Sequence, residues 1–229
     1  MSRLLTVVLS LTVLFASAYA PVPQRQHREV RHLDFAVNRI TVIGDSYTTG
    51  SDQGGNGPNS WTPQVWAALT DHGIAVTPTV AAEGGAGYCT RGNRGSVFED
   101  LTVRAVKPSD VLVVFFGSRN DMNVDPTRLS IAMYGTFSLA RRIARSADLL
   151  VIGPPWPTAD PPAEILRIRD VLKYQADLAG ATFVDPIAAR WFVGRPELIG
   201  KDGVHPTDAG HTYMAAKIAP LISATLHPF

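Results

Sequence analysis

The chain has 229 residues, of which 45% are hydrophobic, and its 21 Lys and Arg residues nearly balance 20 Asp and Glu residues, for a formal net charge of +1. This length fits one α/β domain of ordinary size, and the near-neutral charge without a long basic run predicts no nucleic-acid partner. Because Cys89 is the only cysteine, an intramolecular disulfide is excluded and stability must come from packing.

The N-terminal part of the chain resembles a targeting segment and a linker rather than part of a fold. Residues 1–18 combine an early arginine, an apolar run and the small residues Ala16, Ser17 and Ala18, which is typical of a signal peptide. The apolar run is shorter than the ~20 residues that span a bilayer, so a retained membrane helix is the second interpretation. Residues 19–37 are polar and basic and predict a solvated linker, with peripheral contact to an anionic cell envelope as the alternative. Residues 38–229 form the predicted domain, and we expect the protein to be secreted or held in the cell envelope.

The elements of the predicted domain alternate along the chain. Short apolar runs predict strands of a parallel sheet that is covered by helices on both faces: residues 40–43, 75–82, 111–116, 149–152 and 182–184. Between them lie helices with recognisable ends. The first two are residues 62–72, between Ser60 and Gly73, and residues 101–106, after a capping box of Ser96 and Glu99. The others are a helix from Asp125 and Pro126 toward Arg145, residues 163–179 before Gly180, and a last helix that follows Pro206 and breaks at Pro220. The alternation implies right-handed crossovers and a doubly wound parallel sheet of about five strands.

Polar residues follow the first three strands, where an open α/β sheet binds its ligands. They are residues 44–46, 83–85 and 117–121. A serine hydroxyl becomes a nucleophile only when a base takes its proton, and a histidine base needs a partner that fixes its tautomer. Asp202 and His205 are three residues apart on one turn, so the carboxylate can reach Nδ1 and leave Nε2 facing Ser46. We therefore predict Ser46 as nucleophile, His205 as general base and Asp202 as the group that orients it.

Attack on an ester places negative charge on the carbonyl oxygen, which preorganised hydrogen-bond donors must stabilise. The sequence offers the backbone N–H groups of Ser46 and Gly84 and the side-chain amide of Asn120 as an oxyanion hole.

These residues, in this order, resemble the SGNH hydrolases, the GDSL family of esterases and lipases, from residue 41 to the last helix. The resemblance implies that Ser46, Gly84, Asn120 and His205 are the four name-giving residues and that Asp202 completes the triad. It also implies a three-layer α/β/α sandwich of the flavodoxin-like type and hydrolysis of carboxylic esters without a cofactor.

Two features depart from the family pattern. Ser118 stands where the third block usually has glycine, although Gly117 comes one residue earlier. The second block lacks the asparagine that often precedes its glycine, so Gly84 is preferred as a donor and Gly85 remains the alternative.

Other residues near the motifs have two interpretations each. Tyr47, Trp156, Phe192 and Val204 are candidate substrate contacts, with core packing as the alternative. We expect Asp121 to accept backbone N–H bonds that shape the loop of Asn120, and Arg119 to lie outside the chemistry.

A metal site is the alternative for the C-terminal cluster, because Asp202, His205, Asp208 and His211 are spaced by threes. Such steps drift around a helix, so we predict no metal and place Asp208 and His211 on the surface of the last helix. The predicted function is an exported serine esterase or lipase acting on small-molecule or lipid esters. A carbohydrate O-deacetylase and a noncatalytic envelope-binding module remain alternatives.

Overall fold

Five parallel strands form one sheet in the computed structural model, which describes residues 38–226, and their order across the sheet is β2-β1-β3-β4-β5. The strands are β1 Asn38–Gly44, β2 Val76–Ala82, β3 Leu112–Phe116, β4 Asp148–Ile152 and β5 Thr182–Val184. The helices are α1 Ser46–Thr49, α2 Trp61–Asp71, α3 Phe98–Ala105, α4 Pro126–Ile143, α5 Ala163–Leu178 and α6 Asp208–Leu226. Every predicted strand is confirmed, whereas the predicted signal peptide and linker lie outside the described residues.

Alternate residues of the central strands face two different hydrophobic cores, which makes the molecule three-layered. Val113 and Phe115 of β3 pack on the side of α3, α4 and α5, against residues such as Phe137. Val114 and Phe116 pack on the side of α2 and α6. Both faces of β3 are therefore dry, which explains why its sequence is apolar at every position.

The strands at the two edges of the sheet differ from the prediction of uniformly buried strands. Only Ala82 is buried in β2, and no residue of β5 is fully buried. An edge strand has a neighbour on one side only, so part of its surface faces solvent.

Within residues 38–226, no helix combines the length and apolar composition needed to cross a bilayer.

Two helix ends differ from their predictions. The residue that precedes α3 is Val97, whose N–H donates to Asp100 at 3.1 Å, so the predicted capping box of Ser96 and Glu99 is wrong. The predicted break at Pro220 is also wrong, since α6 continues through it. Pro220 is exposed, where water can satisfy the carbonyl that the proline leaves without a donor, while Ile218 and Ile222 remain buried on the opposite side.

His211 lies in the core, and its predicted surface position is wrong. Its Nδ1 accepts the N–H of Trp61 at 3.3 Å, so a side chain of α6 caps the first turn of α2. A Cβ atom at Gly55, whose φ is +75°, would lie 1.9 Å from Nε2 of His211, and the glycine therefore lets the loop close over the imidazole. Burial lowers the pKa of His211 to about 4, although the charge of Asp208 opposes the shift.

This buried imidazole predicts an acid-sensitive fold. The unfolded state binds a proton near pH 6.5 and the folded state only near pH 4, so acidification through this window lowers the free energy of unfolding. We expect His211→Gln, whose amide oxygen can still accept the Trp61 N–H, to lose less stability than the wild type between pH 7 and pH 4. Denaturant unfolding at both pH values measures this difference. The exposed His72→Gln is the matched control and should retain the wild-type dependence; an unchanged dependence in His211→Gln would contradict the assignment.

Candidate active site

The order of the strands brings three loops together at the carboxyl edge of the sheet. Gly44 at the end of β1 pairs with Ala82 of β2 on one side and with Phe116 of β3 on the other. The loops that follow these three strands carry the residues that the sequence singles out.

Ser46 begins α1, directly after the strand that lies between β2 and β3. Asp45 adopts an extended conformation and caps this one-turn helix, because its Oδ1 accepts the N–H of Tyr47 at 2.9 Å. The cap ends the strand and starts the helix within one residue, which fixes the position of Ser46 at the edge of the sheet.

Ser46, His205 and Asp202 form a continuous hydrogen-bonded chain. Oγ of Ser46 lies 3.0 Å from Nε2 of His205, and Nδ1 of His205 lies 2.6 Å from Oδ2 of Asp202. Oδ1 of Asp202 accepts the N–H groups of Val204 and His205, each at 2.9 Å. Burial raises the pKa of Asp202, but these hydrogen bonds outweigh it and hold the pKa at about 2. Asp202 is therefore ionised at neutral pH and keeps the proton of a neutral imidazole on Nδ1.

The loop that carries His205 is tied to the helix that carries Ser46. The Tyr47 hydroxyl donates to the backbone carbonyl of Val204, and the rings of Tyr47 and His205 lie 6.4 Å apart between centroids. The N–H of Gly200 donates to the carbonyl of His205 at 2.7 Å, which closes the loop at its other end. These bonds set the distance between the imidazole and Ser46.

The side chain of Asn120 lies between the loops that follow β1 and β2. Its Nδ2 donates to the carbonyl of Ala86 at 2.8 Å and to Oδ2 of Asp45 at 3.3 Å. The bond to Ala86 has ordinary length. The bond to Asp45 is long, so the amide hydrogen that forms it is more available for another acceptor. Asp45 is fully buried, and burial raises its pKa to about 6 against the opposing hydrogen bonds of Tyr47 and Ser118.

The loop before Asn120 needs residues that tolerate positive φ angles. Gly117 has a φ of 133° and Ser118 a φ of 92°. A Cβ atom at Gly117 would lie 2.4 Å from Oδ2 of Asp45, so only glycine fits there. Ser118 adopts a backbone conformation that glycine adopts more easily, which costs about 1–3 kcal/mol. Its hydroxyl donates to Asp121 at 3.2 Å, which offsets part of that cost and accounts for the departure from the family pattern.

Asp121 joins the loop after β3 to the loop after β2. Its buried carboxylate accepts the N–H groups of Tyr88 at 2.8 Å, Cys89 at 3.1 Å and Thr90 at 2.9 Å. The expected loop-shaping role is thus confirmed, but most of the donors come from the neighbouring loop rather than from its own. Cys89 itself is partly buried, and burial raises the pKa of its thiol to about 11, so it remains protonated at neutral pH.

Gly84 and Gly85 follow Glu83, which anchors the loop after β2. The buried carboxylate of Glu83 accepts the N–H of Ser96 at 3.0 Å and a guanidinium N–H of Arg104 at 2.9 Å. These hydrogen bonds outweigh burial and lower the pKa of Glu83 to about 2. Gly84 is held in this loop through its carbonyl, which accepts the N–H of Asn93 at 2.8 Å.

The four candidate substrate contacts divide into two kinds. Tyr47 and Phe192 are each 1% exposed and pack edge to face, so a direct substrate contact is wrong for them because their rings fill the core. Val204 and Trp156 are partly exposed and remain candidates. The guanidinium of Arg119 lies 4.8 Å from the centre of the Trp156 ring, so Arg119 contacts one of these candidates.

The metal alternative has no support in the described part of the chain. Within residues 38–226, no three His, Cys, Asp or Glu side chains are grouped as metal ligands. Asp208 instead accepts hydrogen bonds from the Gly55 N–H at 2.8 Å and the Asn59 amide at 3.0 Å.

Sequence reasoning missed the buried carboxylate of Asp45, the Tyr47 hydroxyl and the position of Arg119. The Gly-Asp-Ser tripeptide indicates a capping role for Asp45, but its contact with Asn120 joins residues 75 positions apart and is visible only in the fold.

Residues 42–213 match the model of the GDSL-like lipase/acylhydrolase family. The chain belongs to this family. The chain is 58% identical over 230 residues to the GDSL lipase Rv0518 of Mycobacterium tuberculosis (strain ATCC 25618 / H37Rv), with 99% of each chain covered. In fold it resembles the lipase/acylhydrolase from Enterococcus faecalis, with a TM-score of 0.65, 20% identity and coverage of 84% of this chain and 99% of the other. It also resembles a family two carbohydrate esterase from Clostridium thermocellum, with a TM-score of 0.65, 18% identity and coverage of 82% and 64%.

The network around Asp121 predicts that this carboxylate stabilises the site. Asp121→Asn replaces an acceptor by an amide group that cannot accept from all of the same N–H donors, so we expect the free energy of unfolding to fall by about 2–4 kcal/mol. Denaturant unfolding measures the loss. Asp125→Asn is the matched control, because Asp125 caps α4 at an exposed position and asparagine caps equally well, within about 0.5 kcal/mol. Equal stability of the two variants would contradict the anchoring role.

Proposed function

We propose that the protein is a serine esterase or lipase that hydrolyses carboxylic esters through an acyl-enzyme at Ser46. The observation that carries the proposal is the hydrogen-bonded chain from Ser46 through His205 to Asp202. Membership of the GDSL-like family supports hydrolysis of esters.

The geometry supports a definite sequence of proton transfers. Nε2 of His205 takes the proton of Ser46 as Oγ attacks the ester carbonyl, and Asp202 stabilises the imidazolium that forms. The same nitrogen then gives its proton to the departing alcohol. In the second half of the reaction His205 takes a proton from water, which attacks the acyl-enzyme and releases the acid.

We assign the oxyanion hole to the backbone N–H groups of Ser46 and Gly84 and to the amide of Asn120. The long bond from Asn120 to Asp45 supports this role, because its hydrogen is weakly engaged and can be shared with a developing oxyanion at little cost. Gly85 remains the alternative to Gly84, as the two are adjacent in the same loop.

For the substrate, we place lipid or other fatty acyl esters first and carbohydrate O-deacetylation second. Similarity to a GDSL lipase favours lipid or fatty acyl esters, and the resemblance in fold to a carbohydrate esterase supports O-deacetylation as the alternative. A chain-length series of 4-nitrophenyl esters, set beside acetylated oligosaccharides, decides between them. A noncatalytic envelope-binding module is the third candidate, which any ester turnover by the pure protein would exclude.

We further propose that residues 1–18 are removed during export and that the polar linker reaches the cell envelope. The supporting pattern is the early arginine, the apolar run and Ala16-Ser17-Ala18. Sequencing the N-terminus of the mature protein tests this proposal, since an intact Met1 in envelope fractions would indicate a retained anchor.

The triad predicts covalent labelling of a single serine. A fluorophosphonate probe should label Ser46; Ser46→Ala should abolish the label, and His205→Ala should weaken it sharply because no base takes the hydroxyl proton. Mass spectrometry of the labelled peptide identifies the site. Cys89→Ser is the control and should keep most activity. Loss of activity in EDTA with recovery on zinc, combined with no label on Ser46, would replace this mechanism by a metal-assisted one.

The oxyanion assignment predicts a separate kinetic signature. Asn120→Ala should lower kcat by about a hundredfold or more, since the amide acts on charge that develops only in the transition state. Steady-state kinetics should show a much smaller change in KM. A rise in KM at constant kcat would instead make Asn120 a substrate-binding residue.

A further inference from the structure

Arg119 is a partly buried cation beside the candidate oxyanion donor. It begins the 3₁₀ helix Arg119–Asp121 at the carboxyl end of β3 and directly precedes Asn120. Among the residues that the structure describes, no acid lies within 4.0 Å of its guanidinium, as is also the case for several exposed arginines such as Arg142 and Arg145.

Aromatic groups hold the guanidinium in place. Its central carbon lies 4.8 Å from the centre of the Trp156 ring, in the loop that follows β4. It also lies close enough to the Tyr47 hydroxyl to affect its ionisation: burial raises the pKa of Tyr47 to about 12, and the charge of Arg119 opposes that rise. Arg119 therefore has a defined position between the nucleophile helix and the loop of Trp156.

This arrangement leaves Arg119 without a direct ion pair and with one N–H group that has no acceptor. Its buried Nη1 has no acceptor within the described chain, and a buried donor without an acceptor is unfavourable. The buried Asp45 carboxylate is close enough to interact with the charge of Arg119, while its two oxygens accept hydrogen bonds from the N–H of Tyr47 and the amide of Asn120 rather than from the guanidinium. Arg119 thus keeps a positive charge at the edge of the site without a direct ion pair, although Asp45 acts on that charge from a distance.

We propose that Arg119, stacked on Trp156, recognises an anionic oxygen group, such as a carboxylate, on the acyl or alcohol part of the ester substrate. The inference rests on the proposed esterase function. A guanidinium presents several N–H donors in a plane that matches a carboxylate. Contact with the Trp156 ring restricts the guanidinium before the ligand binds, which reduces the entropy lost on binding. The position next to Asn120 places the recognised group near the scissile ester.

Two pairs of esters that differ only in charge test the proposal. The acyl-side pair is 4-nitrophenyl hydrogen adipate and 4-nitrophenyl methyl adipate; the alcohol-side pair is 4-acetoxybenzoate and methyl 4-acetoxybenzoate. We expect the wild type to favour the charged member of one pair by about tenfold in kcat/KM, and the pair that shows the preference identifies the side of the ester that Arg119 contacts. High ionic strength should reduce the preference.

Three variants separate charge recognition from structural effects. Arg119→Gln should lower kcat/KM far more for the charged ester than for its neutral partner, and Arg119→Lys should retain part of the preference. Arg142→Gln removes an exposed cation from the last turn of α4 and should leave the preference unchanged. Equal losses on both esters in Arg119→Gln, or a wild type that favours the neutral member of both pairs, would overturn the proposal.

Binding to Ser46→Ala separates this inference from the proposed function. Calorimetry on this variant should show tighter binding of the charged member of the preferred pair, and the difference should vanish in Ser46→Ala combined with Arg119→Gln. If binding keeps the preference while the wild type hydrolyses none of the esters, the proposed function fails and the anion site stands. If hydrolysis occurs and binding shows no preference, the anion site fails alone.

Discussion

The buried carboxylate of Asp121 is the interaction on which the geometry of the candidate site depends. Three backbone N–H groups of the loop after β2 and the hydroxyl of Ser118 donate to it. Loop backbone is expensive to bury because its polar groups lose water, and one carboxylate satisfies several of these donors at once. Without it, three backbone N–H groups of the loop after β2 would lose their shared acceptor, and Asn120 would be held only by its own hydrogen bonds with Ala86, Asp45 and Thr90.

Asp45 extends the same principle to the loop after β1. Its two oxygens reach the N-terminus of α1 and the amide of Asn120, so one buried side chain joins the helix of Ser46 to the loop of Asn120. The buried carboxylates thus hold the three loops in register with the sheet. The sheet in turn sets the spacing, since β1 lies between β2 and β3.

The sequence was sufficient for the five strands, the longer helices and the residues that meet at the sheet edge, because apolar runs and family motifs are local signals. It was insufficient where distant residues decide. Its place near the start of a helix predicts a surface position for His211, yet this residue caps α2, which lies about 150 positions earlier in the chain. Pro220 indicates a helix end, but packing of Ile218 and Ile222 outweighs the local preference. Tyr47 and Phe192 were candidates for substrate contact because aromatic side chains serve either role, and only the packing decides between them.

The ionisable side chains of the site differ in solvent exposure, and this difference matches the chemistry proposed for them. Asp45 and Asp121 are 0% exposed and serve fixed backbone and amide donors. The side chains of Asp202 and His205 are 34% and 28% exposed. An imidazole that takes a proton from serine and later from water must be accessible to both substrate and solvent, so full burial would prevent the second half of the reaction. Solvent at these exposed groups weakens their electrostatic interactions. The imidazole nevertheless keeps its orientation, because it forms a short hydrogen bond with the ionised Asp202. Two backbone N–H groups hold Asp202 in turn.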